Sequence, residues 1–116
     1  MNHQKQTGQK GEDMAVAFLE DDGYTIQVRN YRYKRAEIDI IAKKRNILVF
    51  VEVKSRRSNV FGYPESFVDE KQADRITEAA EEYMYQIKWQ KNVRFDIISI
   101  ETGSGLKITH FKDAFH

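Results

Sequence analysis

The chain contains no cysteine and a single proline, Pro64, in 116 residues. Without cysteine there is no disulfide framework, no thiolate metal site and no thiol nucleophile. With the proline confined to position 64, no predicted helix or strand is interrupted in its middle. No apolar run approaches the roughly 18–20 residues that a membrane-spanning helix requires. The stretch from Met1 to Lys10 lacks the apolar core of a signal peptide. Linkers, internal repeats and low-complexity runs are also missing. These absences lead to the expectation of one soluble, cytoplasmic domain over residues 1–116, with residues 1–7 as a flexible N-terminal tail and no membrane partner.

An excess of either charge is lacking too, since 19 Lys and Arg against 18 Asp and Glu leave +1. The distribution is uneven, however. Residues 1–26 carry 2 basic and 5 acidic side chains, residues 27–58 carry 10 and 3, and residues 59–116 carry 7 and 10. The middle third is therefore +7 between two segments of −3 each. Such asymmetry focuses a positive field on one region and suits an anionic partner. On charge alone, a solvated lysine-rich hairpin is an equal explanation. Hydrophobic residues at 41% and aromatics at 12% suffice for one core and exclude a disordered chain.

The pattern predicts seven elements. Gly8 to Asp22 is a helix, with Glu12, Ala15, Val16 and Leu19 on one face and Gly23 as its stop. Tyr24 to Tyr33 is a strand whose alternation slips, which a bulge near Asn30 would explain. Glu37 to Ala42 and Ile47 to Lys54 form a hairpin around Lys43-Lys44-Arg45-Asn46. The run Ile47-Leu48-Val49-Phe50-Val51 is apolar on both faces, as in a central strand covered by a helix on each side. Arg57 to Val68 is a loop. Asp69 to Lys88 is a second helix, capped by Asp69, with a stripe of Ala73, Ile76, Ala80, Tyr83 and Ile87. Val93 to Glu101 and Leu106 to Phe111 are the last strands. The order α-β-β-β-α-β-β, with a βαβ unit around the second helix, predicts a three-layer α/β/α sandwich on a mixed five-stranded sheet.

Register then brings ionisable groups together. A hairpin symmetric about Arg45-Asn46 puts Asp39 opposite Glu52 and Glu37 opposite Lys54, with facing Cβ atoms about 4.5–5.5 Å apart. Glu52 and Lys54, two residues apart, share a face. Two facing carboxylates repel unless a proton or a divalent cation intervenes, and oxygen-only ligands suit Mg²⁺ or Mn²⁺. Lys54 could orient water and offset negative charge, and Glu12 could supply a third carboxylate from the first helix. The acid-x-Lys pattern alone is weak: 18 acids and 11 lysines in 116 residues predict about 1.7 chance occurrences, and two are present, at Glu52 and at Asp69. A strand-end salt bridge remains the alternative for Glu52 and Lys54.

The segments Gly11-Glu12, Arg29-Asn30-Tyr31-Arg32, Glu37-Ile38-Asp39, Val49-Phe50-Val51-Glu52-Val53-Lys54 and Arg94-Phe95-Asp96, taken together, resemble the bacterial YraN-like family. That family is similar to Holliday-junction resolvases of the PD-(D/E)XK, restriction-endonuclease-like superfamily. The resemblance implies a metal-dependent endonuclease of the same element order. Asp39 matches the motif's Asp, Glu52 its acid and Lys54 its Lys, while Glu12 matches the extra helical acid of the resolvase-like branch. The implied catalytic set is Glu12, Asp39, Glu52 and Lys54, with Asp39, Glu52 and Glu12 as ligands of Mg²⁺ or Mn²⁺. Ala36 departs from the family's usual Gly before Glu-Ile-Asp.

Arg29, Arg32, Arg35, Arg56, Arg57 and Lys71 are the candidate contacts to nucleic acid, and DNA, branched or structured, is the implied partner. Resolvase-like cutting would also require a two-fold homodimer. Phe61, Tyr63 and Phe67 either cap the core or stack on a base. His3, His110 and His116 show no metal-ligand spacing, and Tyr85 and Trp89 read as packing residues. A nucleic-acid-binding module without catalysis, or an adaptor for an acidic protein surface, are the alternative functions.

Overall fold

The computed structural model describes residues 3–57, 68–103 and 105–115, with only the helical backbone given for 3–8. The predicted loop residues Phe61, Tyr63 and Phe67 lie outside the described residues. The elements are α1 (His3–Asp21), β1 (Thr25–Tyr33), β2 (Ala36–Lys44), β3 (Ile47–Arg56), α2 (Glu70–Ile87), β4 (Asn92–Glu101) and β5 (Lys107–Phe111). They form one mixed five-stranded sheet in the order β1-β2-β3-β4-β5. β3 and β4 are parallel and the other neighbours antiparallel, as the α-β-β-β-α-β-β order requires. Among the described residues no helix is long and apolar enough to cross a membrane.

β3 organises the packing because both of its faces are apolar. Val49 and Val51 join Ala15 and Leu19 of α1, together with Ile98 and Ile100 of β4. Leu48 and Phe50 face the other way, onto Ile76, Ala79, Ala80 and Tyr83 of α2. Each fully buried Val, Leu, Ile or Phe among them contributes about 1.5–3 kcal/mol relative to exposure. Two predicted packing residues lie outside this core: Ile87 and Tyr85 are 44% and 80% exposed at the end of α2. There the chain leaves the helix through Lys88 in a left-handed conformation (φ 57°). Trp89 does pack on the α2-side core.

α1 begins at His3, earlier than the expected tail over residues 1–7 allows. Gln4, Lys5 and Gln6 in that stretch are good helix formers. Gly23 (φ 91°) ends the helix turn, with its N–H donating to Glu20 O. The helix lies close on β3 at Gly11, where an added Cβ would stand 2.0 Å from Ser55 Oγ. The turn before β2 puts its positive φ on Lys34 (55°), leaving Ala36 to pack in the α2-side core.

The slip in β1 has two parts. The register with β2 shifts between Ile26 and Val28. The facing pattern shifts again at Asn30, which is left-handed (φ 56°), because Val28 and Tyr31, three apart, both pack on the α2 side. β2 shifts at the matching point: Ile38 packs toward α2, and Ile40, two residues on, packs toward α1. Arg29↔Ile40 and Tyr31↔Ile38 remain paired across it. Both strands therefore turn over together, at Asn30 and Asp39.

A buried ionic cluster ties β4 to the end of the chain. Asp96 is fully buried and accepts from Arg94 Nε (2.9 Å), Arg94 Nη2 (2.9 Å) and the Asp113 N–H (2.9 Å), with His110 Nε2 at 2.7 Å. Arg94 Nη2 also donates to the Tyr24 hydroxyl at 2.6 Å. Burial pushes the Asp96 carboxyl up, but the bonds from His110, Arg94 and Asp113 outweigh it and hold the pKa below the ordinary value. A depressed carboxylate stabilises the fold above the ordinary carboxylate range and loses that contribution as pH falls through its folded pKa. Asp96→Asn is expected to cost about 3–5 kcal/mol at neutral pH, as for removal of one partner from a buried ion pair. The deficit should shrink in strongly acidic solution. Urea denaturation of both proteins at several pH values checks this, and equal stability at neutral pH would refute it.

Candidate functional site

The β2–β3 ladder runs from Lys44↔Ile47 to Ile40↔Val51. This is the register of a hairpin symmetric about Arg45-Asn46, so Asp39 and Glu52 come next. The backbone pairing stops there. In its place Asp39 Oδ2 accepts the Val53 N–H at 2.8 Å. The side chain thus replaces the carbonyl that would have continued the ladder, at the position where β2 turns over. Glu37 does not meet Lys54 as expected. It pairs across the other edge of β2 with Arg32 Nη2, at 3.3 Å.

Glu52 is 6% exposed. Its Oε2 accepts from Gln72 Nε2, one turn into α2, at 2.9 Å. Burial pushes its carboxyl up to about 9, reinforced by a hydrogen bond with Asp39 and by the Asp39 charge, while Lys54 and Gln72 pull the other way. The physical cause is two acids meeting in a poorly solvated place, where the pair retains a proton. Lys54, two residues along β3, is close enough for its charge to be felt at Glu52.

Glu12 stands apart from this pair. It is buried on α1, and its Oε1 accepts from Arg29 Nε and Asn30 Nδ2, both at 3.0 Å. Burial raises its pKa and the Arg29 hydrogen bond opposes the rise, with the Asp39 charge adding to it. Asp39 is accordingly the electrostatic neighbour of both glutamates. Among the described residues, no three Asp, Glu or His side chains converge as a ready metal-binding set. Two oxygen donors still match a hard cation such as Mg²⁺, which is commonly held by one or two carboxylates plus water and substrate phosphate.

Asp39 and Glu52 line a cleft of about 510 Å³ between the start of β2 and the first turns of α2. Of the six basic residues singled out in the sequence, Arg35 and Lys71 line it. Arg29 is held by Glu12 and Asp13, Arg32 by Glu37, and Arg56 lies 3.9 Å from Glu101. Arg57 is exposed at the end of β3. The cleft also contains Arg75, which sequence reasoning missed. Its spacing of four from Lys71, on one helical face, was the available signal. His110, set aside for lack of ligand spacing, belongs to the Asp96 cluster.

The chain resembles several bacterial proteins over most of its length. It is 45% identical over 108 residues to a UPF0102 protein of Cytophaga hutchinsonii, covering 93% of this chain and 94% of that one. It is 43% identical over 116 residues to one of Christiangramia forsetii, covering 99% and 98%. A relative in Persephonella marina is 46% identical over 110 residues, covering 93% and 91%. Among solved structures, that of Pyrococcus furiosus SfsA in complex with Ca²⁺ is 16% identical with a TM-score of 0.36, covering 94% of this chain and 63% of that one. The model of the family described as "Uncharacterised protein family UPF0102" matches residues 11–100, a span containing Glu12, Asp39, Glu52 and Lys54. The chain belongs to the UPF0102 family, the YraN-like family that its motifs resemble.

Proposed function

We propose that this protein is a Mg²⁺- or Mn²⁺-dependent endonuclease that hydrolyses phosphodiester bonds in DNA, with Asp39, Glu52 and Lys54 as its working residues. The carrying observation is geometric: the β2–β3 register brings Asp39 and Glu52 together in one cleft, with Asp39 accepting the Val53 N–H and Glu52 held by Gln72, and burial beside Asp39 pushes the Glu52 carboxyl up. Two carboxylates so placed are costly unless a cation replaces the proton, and they are the donors such a cation prefers. The ion would supply charge stabilisation at the phosphoryl oxygens. Lys54 orients the water that attacks phosphorus and offsets the charge gained as the P–O bond breaks. Gln72 holds the Glu52 carboxylate in one orientation by its 2.9 Å hydrogen bond. Glu12 enters by holding Arg29 and Asn30 at the point where β1 turns over, beside Asp39. That makes it a positioning residue for the pair.

Two predictions follow the site from either side. Supercoiled and four-way-junction DNA should be nicked in Mg²⁺ or Mn²⁺, and Glu52→Gln or Lys54→Ala should slow the reaction on the order of 10²–10³-fold. Residual cleavage equal to wild type would place the activity elsewhere. Binding without cleavage in either metal would leave a nucleic-acid-binding module with this fold.

The second concerns stability without DNA. A carboxyl whose folded pKa is raised stabilises the fold below its ordinary pKa and loses that contribution as pH rises toward about 9. Glu52→Gln, which mimics the protonated acid, should therefore melt higher than wild type in metal-free buffer at pH 8. A gain of about 5 °C corresponds to roughly 1 kcal/mol in a domain of this size. The difference should close near pH 5. Mg²⁺ should raise the wild-type melting temperature at pH 8 and leave that of Glu52→Gln unchanged. A melting curve indifferent to both pH and Mg²⁺ would make the pair a structural contact only.

A further inference from the structure

The ionisable side chains around the cleft differ in how they are engaged. Each acid there has a partner. Glu37 is paired with Arg32, Asp39 accepts the Val53 N–H, Glu52 accepts from Gln72, and Asp69 caps α2 by accepting the Gln72 N–H at 2.8 Å. The three cations there, Arg35, Lys71 and Arg75, form no ion pair among the described residues. Asp74 and Glu78 stand three positions on from Lys71 and Arg75, within reach along the helix, yet neither pair closes.

Their placement runs against local electrostatics. Lys71 and Arg75 lie one turn apart on the same face, where like charges repel. They also occupy the N-terminal turns of an 18-residue helix, the end whose dipole favours anions over cations. Arg35 brings a third positive charge from the strand side. All three are exposed, so core packing does not explain where they point. An anion between them removes both the mutual repulsion and the conflict with the dipole.

We propose that Arg35, Lys71 and Arg75 form a phosphate subsite at the cleft, filled by the backbone of a single, unpaired nucleic-acid strand. This deepens the nuclease reading and rests on it for the identity of the anion. A single strand suits the size of the cleft. A cleft of about 510 Å³ is in the range of small-ligand sites. A double helix, whose major groove alone is about 12 Å across, meets only its rim. Glu52, 6% exposed, is reached by a phosphate that leaves the duplex contour. Frayed ends, flaps and branch points present such strands, and intact duplex does not.

The test is binding without metal, so that it is independent of cleavage. Fluorescence anisotropy in EDTA would compare a labelled oligothymidylate with a blunt duplex of the same length across a salt series. Wild type should hold the single strand more tightly. The triple variant Arg35→Ala/Lys71→Ala/Arg75→Ala should lower the slope of log K against log salt by about 2, at roughly 0.7 per phosphate contact. Lys107→Ala, on β5, should leave the slope unchanged. Circular dichroism checks that each exposed substitution leaves the fold intact. A slope unaffected by the triple change, tighter binding of duplex, or no binding of either probe would overturn the subsite. A protein that behaves as expected here but cuts nothing in Mg²⁺ or Mn²⁺ would overturn the nuclease reading and leave the subsite standing.

Discussion

Two negative side chains are driven together by the alignment of the central hairpin, and much of the site follows from that conflict. β3 is apolar on both faces, so sliding β2 by one residue would turn its buried side chains toward the wrong layer. The core thus enforces the register that sets Asp39 against Glu52. The local responses are visible in turn: the ladder ends, Asp39 takes a backbone N–H, and Gln72 reaches down from α2 to Glu52, whose carboxyl is pushed up by burial. A strand pair optimised for stability alone would place apolar or oppositely charged residues there. Local disagreement with an otherwise consistent sheet is the usual mark of a functional position.

The opposite arrangement holds at Asp96. It too is a buried carboxylate, and it has as many donors as it can use. His110 meets Phe18 and Tyr24 edge-on at 6.1 Å, so the ionic cluster is enclosed by rings from α1 and the β1 entrance. The Ala114 N–H donates to Phe95 O, and Phe115 packs against Phe95 on the far face of the sheet. The chain end is thereby wrapped around the edge of β4. Two acids in one small domain are thus shifted in opposite directions, Asp96 held down by its donors and Glu52 pushed up by burial beside Asp39.

The sheet was legible in the sequence because its signals are local and redundant. A two-faced apolar run identifies the central strand, a short charged turn sets the hairpin register, and the long second helix forces a parallel crossover. The positions of Asp39, Glu52 and Lys54 follow from that register. The partner of Glu12 was less legible. Helical spacing assigns Glu12 to the inward face but says nothing of which strand residue lies beneath it. The coordinated turnover at Asn30 and Asp39 delivers Arg29 and Asn30 to that spot. The same turnover explains why Arg29 is an ion-pair partner and not a free cation. Arg75 was not legible because a basic residue in a helix with five acids looks like ordinary surface until α2 is seen to wall the cleft.

Net charge is a poor guide in such a molecule, and engagement is a better one. The basic middle segment holds ten cations, yet several of its arginines are neutralised by acids drawn from α1, β2 and β4. At the cleft, Arg35 of that segment meets Lys71 and Arg75 from the otherwise acidic third segment. Within a few side chains the cleft changes character, from cations with no ion pair among the described residues to a pair of acids. On the proposed nuclease reading a phosphodiester would be attracted to the first and would need a bridging charge to approach the second. On that reading these are, side by side, a place to hold a phosphate and a place where one would be attacked. The fold sets them together by placing the first turns of α2 over the point where the β2–β3 ladder breaks.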